Sequence, residues 1–488
     1  MRKLSKWRPD NGTIIVGENV EIEMIFGVAI VTAIIALTAV VSGLRVLSTR
    51  EFTVVSHRAG WPIVSGIIVG ALLGGSSTVG TTQAAFVYGL PAWWFTLGGG
   101  IGCLILGTLF VRPLRRTGVE TLPQYLMTAF GQPIRPLVAV CDSIGIFITI
   151  PGQAASAITL LTVLLQWTMP LVAALVAVLI VLYVLTGGAI SAGVAGFVKL
   201  LIAFAALLTF GAVALFLAGG MAPLQEALPG KYFNLFGNGF WKDAGNGLGI
   251  VLGVLTTQIY VQAVLSGRDE RQARIGTLLA GFGTTVFGLG GVAVGMFMRV
   301  HEPGIAPAQA LPLFATHYFP PVVGGMMLGA ILITVITCAG TLALGIATMV
   351  TRDLYQYYVH PKMSDSEGLL VARSVIVVVV LAGVLIGASD LLKLIISYSF
   401  LAFAFRADTM LVPVLVAALG ARTSLRSAGA GVGALLGGMT TNLFWNLAIE
   451  PGGAAVFIGL LGSVIGLLGG HALSLVVRVK RAVPQAGI

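Results

Sequence analysis

The sequence predicts an all-α polytopic membrane protein with about 13 transmembrane helices. Three observations predict it. Of the 488 residues, 57% are hydrophobic and only 9% are charged, whereas a soluble globular domain averages about 25% charged residues. Mean hydropathy is +0.99. Apolar runs of about 18–28 residues, each long enough to cross the hydrocarbon core of a bilayer, recur along the chain.

Taken in order, the runs fall near 24–44, 60–88, 93–111, 137–165, 168–186, 194–218, 247–266, 275–298, 322–350, 370–388, 391–419, 427–449 and 452–477. The polar stretch 1–21 precedes a run too long for a signal-peptide core, so no cleaved signal is expected. The 65 glycines suit membrane helices, where small residues let backbones approach closely. The longest polar loops, 219–246 and 299–321, leave no room for a soluble domain. Residues 1–488 therefore read as a single membrane domain. An odd number of spans puts the two termini on opposite sides. Seventeen Lys and Arg fall in one set of loops and seven in the other, which predicts a cytoplasmic C-terminus in the cell (inner or plasma) membrane.

The net charge of +10 lies between apolar spans rather than on one patch. It reads as topology charge, so a lipid bilayer and no nucleic acid is the expected partner. Cys103, Cys141 and Cys338 all lie inside apolar stretches, without metal-ligand spacing and without the pattern of a disulfide framework. No nucleotide-binding loop or nucleophile constellation is present, so no enzyme and no cofactor is expected.

The most informative segment is 70–131. An apolar helix runs into Gly74-Gly75-Ser76-Ser77-Thr78. Glycine tolerates unusual backbone angles, and hydroxyls can satisfy freed backbone groups, so this cluster predicts a broken membrane helix over 70–80. Broken helices at membrane depth hold substrates and ions in many transporters. A second glycine-rich start, Gly245, Gly247, Gly249 and Gly253, opens the run near 247–266.

Four blocks then carry a family resemblance. The glycine-rich break is followed by R-P-L-R-R-x-G-x-x-T-L-P-x-Y-L. LYVLTGGAISAGVAGFVK, Gln258 and Gln262 before GRDERQAR, and GIATMVTRDLY follow in order. Together they resemble the sodium:solute symporter family. The resemblance implies a LeuT-type core of two inverted five-helix repeats, core helices 1–10 over about 60–419. An extra N-terminal helix (24–44) precedes it and two C-terminal helices (427–477) follow. It also implies symport of a small-molecule solute with Na⁺ as coupling ion, H⁺ being the alternative. Oligomeric state is left open.

By the same resemblance, Na⁺ would lie between core helices 1 and 8, at the carbonyls of Gly70 and Leu73 and at Thr334, Thr337 and Cys338. Of these, Gly70, Leu73 and Thr337 suit a hard cation, which needs several oxygens. A neutral thiol at Cys338 is a poor ligand for it. The family's T-D-x-x-Q falls on Ala195-Gly196-Phe197-Val198-Lys199, so an acid is replaced by Gly196 and a glutamine by Lys199. A lysine inside an apolar helix either marks function or snorkels to the interface. The functional reading places its ammonium in the cation region.

The resemblance puts substrate among Gly75, Ser76, Ser77, Thr78, Gly253, Arg406 and Asp408. Helix capping is the competing role for the three hydroxyls. For the two mid-span charges it is a structural ion pair, Asp408 with Lys199 or Arg406 with Asp142. An unpaired guanidinium would favour a carboxylate. Asp142 reads as a helix-end residue near the cytoplasm and His471 as structural. The expected function is secondary active transport of a small polar solute, anionic solutes included, by alternating access. Its rivals are a proton-coupled or sodium-independent carrier in the same fold, with Lys199 in the cation region, and a membrane solute sensor.

Overall fold

The computed structural model describes residues 22–31, 33, 58–389, 394–419, 425–449 and 453–482. Among them the chain is helical throughout, with one isolated parallel bridge, Ala59 to Gly267. Eight helices are long and apolar enough to cross a membrane, or ten if each of two bent pairs is one span. The polarity is inverted relative to a soluble protein. Lys199, Arg406, Asp142 and Asp408 are buried while Phe216, Phe282, Leu385 and Leu447 face outward. That is the arrangement a lipid environment selects, because charges are expensive in hydrocarbon and apolar surface is not.

The described part of the N-terminal helix, α1, is Ile22–Val31; the rest of the 24–44 expectation lies outside the described residues. α1 packs against a later helix at Gly325 and Gly329, where a Cβ would strike the backbone of Met24 or Val28. Core helix 1 is α2 (Trp61–Leu72) and α3 (Thr81–Tyr88), joined through a π turn at Ser76–Gly80. Its two halves are bent by 62°. Core helix 2 is α4 (Leu90–Arg115). A short helix, α5 (Leu122–Phe130), leads into core helix 3, α6 (Ile134–Leu165).

Core helices 4 and 5 correct the sequence reading. The chain is helical without interruption over α7 (Met169–Leu217), where a loop near 187–193 was expected. The stretch between the two apolar runs includes Gly187 and Gly188. Glycine weakens a helix by only about 1 kcal/mol, and no proline is present to break it.

Core helix 6 is α8 (Phe240–Thr256) and α9 (Gln258–Ser266), bent by 46° at Thr257. Core helix 7 is α10 (Glu270–His301). A short helix α11 (Ala310–Tyr318) precedes core helix 8, α12 (Pro321–Met349), and core helices 9 and 10 are α13 (Asp365–Ser389) and α14 (Ile395–Ala418). The last two helices, α15 (Ala428–Ala448) and α16 (Ala455–Ala482), form a close antiparallel pair. Gly433 and Gly437 of α15 sit directly against the backbone of Gly466 and Gly462 of α16. Two glycine-faced helices approach in this way because only a missing side chain permits it.

Candidate functional site at two broken helices

The first break begins at Leu73, whose backbone turns extended (φ −91°, ψ 109°) after its N–H makes the last helical bond to Val69 O. The groups this frees are met nearby. The Gly74 N–H donates to Ser77 Oγ at 2.8 Å, and the Gly75 N–H to Gln153 Oε1 of α6 at 2.5 Å. The Gly74 carbonyl accepts from Ser77 Oγ (2.9 Å) and Thr78 Oγ1 (2.8 Å). Two of the three hydroxyls expected at substrate are thus capping the break. Ser76 Oγ lies 2.7 Å from Ser399 Oγ of α14 and accepts from Gln153 Nε2 at 3.4 Å.

The two glycines are required for a reason other than backbone freedom. Gly75 has an ordinary helical conformation (φ −60°, ψ −40°). A Cβ there would strike the Ser156 side chain, and one at Gly74 would strike Gln153 and Cys338. Close approach of α6 and α12 selects glycine at both positions.

Beneath the break sits the ammonium of Lys199, fully buried. Its Nζ donates to Gly70 O at 3.1 Å and to Thr334 O at 3.0 Å, tying α7 to α2 and α12. Snorkelling to the interface is therefore not what this side chain does. Of the six residues read as a cation site, the structure brings Gly70, Thr334 and Lys199 into direct contact. Cys338 joins at their edge, its thiol donating to Ala71 O at 3.1 Å. The Thr337 hydroxyl turns instead to Thr334 O, at 3.2 Å. No hydrogen bond ties Leu73 to the ammonium. The residues do not offer Na⁺ a free oxygen cage, since two of the carbonyls already accept from an ammonium. Gly196, where the family's acid would stand, lies against the Gly66 carbonyl, and any Cβ would collide with it.

The second break is at Thr257 (φ −89°, ψ 126°). Thr256 and Thr257 hydroxyls both donate to Gly253 O, at 3.1 and 2.7 Å. Asp142, read as a helix-end residue, instead lies buried within α6 and holds this break. Its Oδ2 accepts from the Gln258 N–H at 2.8 Å. A carboxylate at the N-terminus of α9 meets freed N–H groups and a favourable dipole. Gln258 Oε1 in turn accepts from the Leu122 N–H at 2.6 Å, fastening α5 to α9.

Arg406 of α14 is fully buried. Its Nε donates to Ala402 O at 3.0 Å, and its guanidinium lies 4.3 Å from the Phe403 ring centroid. Gly145 of α6 makes room for its stem, since a Cβ there would strike Arg406 Cγ. Both terminal nitrogens, Nη1 and Nη2, lack a hydrogen-bond partner, as does Asp142 Oδ1.

Asp408 corrects the expectation. It stands two residues from Arg406, about 200° around the helix, and points away from the breaks. Asn442 Nδ2 of α15 donates to its Oδ2 at 2.5 Å, and Gly459 of α16 packs against its side chain. Neither proposed ion pair, Arg406 with Asp142 or Asp408 with Lys199, is present among the described residues. Gly253 is a packing position against Phe403. His471 is peripheral, its Nδ1 3.4 Å from Ser427 Oγ.

The sequence reading missed Gln153, Ser399 and Tyr260. Gln153 was findable: Thr149, Gln153 and Ser156 form a buried polar stripe at helical spacing. It also missed the ionic cluster at the α5 end. There Arg135 binds Asp353 (2.8 Å), and Arg352 binds Glu120 (2.7 Å). Arg115 donates to the carbonyls of Leu265 and Gly267 at the end of α9.

Two bent apolar helix pairs, each with buried polar groups at its break, are the feature that sets this membrane fold apart. Comparison with known proteins gives the family. The model of the Sodium:solute symporter family matches residues 52–438, and the chain belongs to that family. The osmoregulated proline transporter OpuE of Bacillus subtilis is 28% identical over 346 residues, 66% of this chain and 69% of its own. The high-affinity choline transporter 1 of Torpedo marmorata is 26% identical over 337 residues. That match takes in 63% of this chain and only 57% of the choline transporter. Among solved structures, a Na⁺-coupled sialic acid symporter in a substrate-bound outward-open state superposes with a TM-score of 0.75. It is 15% identical, over 93% of this chain and 97% of that one, and shares the fold. These relatives are transporters, and the family is one of sodium-coupled carriers.

Proposed function

We propose that the protein is a secondary active transporter. It moves a small polar solute across the cell membrane by alternating access, with its C-terminus in the cytoplasm. We further propose that the Lys199 ammonium takes the place of the coupling Na⁺. One observation carries this second part. Lys199 Nζ bonds Gly70 O on α2 and Thr334 O on α12, and both residues were assigned to the cation site by resemblance. The lost acid at Gly196 and the thiol at Cys338 support the same reading. A neutral amine keeps two N–H donors but loses the charge that strengthens them, so the tie from α2 to α12 is tightest in the charged form. Proton exchange at Lys199 is then the coupling step.

The test is uptake into proteoliposomes with Na⁺ fully replaced by K⁺, over a range of pH. Uptake should persist and vary with pH. Strict Na⁺ dependence, with Lys199→Ala fully active, overturns the lysine reading and restores sodium coupling. Sodium coupling is the second reading, favoured by the family itself. The orientation is checked with reporters fused after Ile488, where a cytoplasm-active reporter should function and an externally active one should not.

A further inference from the structure

We infer that the solute is zwitterionic, with a carboxylate received by Arg406 and a cationic nitrogen received by Asp142. This rests on the proposed transport function and names the substrate class of the same site. Three observations converge on it.

The first is the pair of orphaned groups. Arg406 and Asp142 are both fully buried. Arg406 Nη1 and Nη2 and Asp142 Oδ1 have no hydrogen-bond partner. Buried charges are ordinarily paired and hydrogen-bonded, because an unpaired one is among the costliest features a fold can carry. Here one edge of each group is anchored, by Ala402 O and by the Gln258 N–H, and the other edge is left bare. Anchoring fixes where the bare edges sit.

The second is that the two charges share one neighbourhood without joining. α6 and α14 pack together, and Gly145, three residues after Asp142, lies against the Arg406 stem. Yet no ion pair links the two among the described residues. A bidentate Arg–carboxylate contact is strong when the geometry is free to form it. Arg406 is anchored on Ala402 O and Asp142 on the Gln258 N–H, so their bare edges offer complementary charges to one occupant.

The third is charge balance. The guanidinium and the Asp142 carboxylate cancel. An occupant with one charge only would leave a buried charge uncompensated, whereas an occupant carrying both, with no net charge, leaves the balance intact. Phe403 under the guanidinium and Tyr260, stacked on Phe403 at 6.3 Å, give the site an apolar wall for a short hydrocarbon body. A sugar could hydrogen-bond both groups but brings no charge to complement either. A simple carboxylate satisfies Arg406 and leaves Asp142 bare; a simple amine does the reverse.

The test is competition and uptake with matched probes in proteoliposomes of the intact protein. The zwitterions are L-alanine and L-proline. The single-charge analogues are propionate and cyclopentanecarboxylate, and ethylamine and pyrrolidine. D-glucose serves as the uncharged member. A zwitterion should bind at least about tenfold more tightly than either of its single-charge analogues. Arg406→Lys should weaken every carboxylate-bearing probe and leave the amines unchanged. Asp142→Asn retains an acceptor for the Gln258 N–H, so the break survives. It should erase the preference for the zwitterion over its carboxylate analogue. Equal affinity for zwitterion and simple carboxylate in the unaltered protein overturns the inference, as does an Asp142→Asn variant with unchanged selectivity. Entry of glucose alone also overturns it while leaving the transport function standing. Dependence on Na⁺ reports on Lys199 and not on this pair.

Discussion

The two broken helices solve one physical problem in different ways. Each interrupts a helix inside the membrane and frees backbone groups that no water can satisfy. At the break in core helix 1 the partners of Gly74 are local. Ser77 and Thr78 serve the carbonyl of Gly74, and Ser77 serves its N–H. Gln153, Lys199, Cys338 and Ser399 come from afar. At the break in core helix 6 the key partner is a carboxylate 116 positions away, Asp142. The first break is closed by neutral groups and a cation below it, the second by an anion. The two breaks therefore carry charges of opposite sign.

This contrast can be broken from either side. The largest effect is expected at Lys199. Lys199→Met keeps the stem and removes the charge, leaving the Gly70 and Thr334 carbonyls without their partner. Each lost partner costs about 1–3 kcal/mol, so uptake should fall at least about tenfold. If Na⁺ restores it in the variant, the cavity has been returned to ion binding; proteoliposome uptake with and without Na⁺ reads this directly.

Next is Gln153→Leu, which strips the Gly75 N–H of its acceptor. A loss of about 1–3 kcal/mol is expected, visible as a lower thermal midpoint in detergent. An unchanged midpoint would mean that the break does not depend on α6. A smaller loss, about 0.5–1.5 kcal/mol, is expected for Thr257→Ala, which removes the 2.7 Å bond to Gly253 O. Should Thr257→Ala prove the more harmful of the two, the second break would be the locally held one and the contrast would reverse.

The smallest effect lies at the short helix α11, remote from both breaks. Glu302 accepts from His317 Nδ1 (3.0 Å) and Tyr318 OH (3.2 Å). Partial burial alone would raise its carboxyl, but these partners outweigh it and hold the group below its ordinary value. A carboxyl lowered in the folded state stabilises above its unfolded value, near 4.3, and loses that contribution as pH falls through the folded value. The loss should be a fraction of 1 kcal/mol, since the pair is only half-buried. His317→Ala should lower stability slightly near neutrality and flatten the stability profile below about pH 5, measured by thermal unfolding.

How much could be read beforehand follows the same division. The break at 70–80 was legible because its glycines and the hydroxyls that cap it lie within eleven consecutive residues. The family followed from four ordered blocks, and the helical, polytopic fold from run length. Contacts spanning the sequence were not legible: no local signal says that Asp142 caps residue 258 or that Asn442 receives Asp408. The misplacement of Asp408 was avoidable, since residues two apart on a helix face opposite ways. The continuity of α7 was missed because the less apolar stretch at 187–193 separates two apolar runs without ending the helix. Glycine at 74 and 75 was read rightly for position and wrongly for cause, as neighbours at van der Waals contact leave no trace in composition.

Lys199 has one more consequence. A dissolved cation occupies a site in proportion to its concentration in the medium. A cation on a four-carbon stem is present at an effective concentration fixed by the tether, of order millimolar or above for short linkers, whatever the medium holds. The carbonyls of Gly70 and Thr334 are therefore engaged in fresh water as in brine. Salinity has no purchase on that contact.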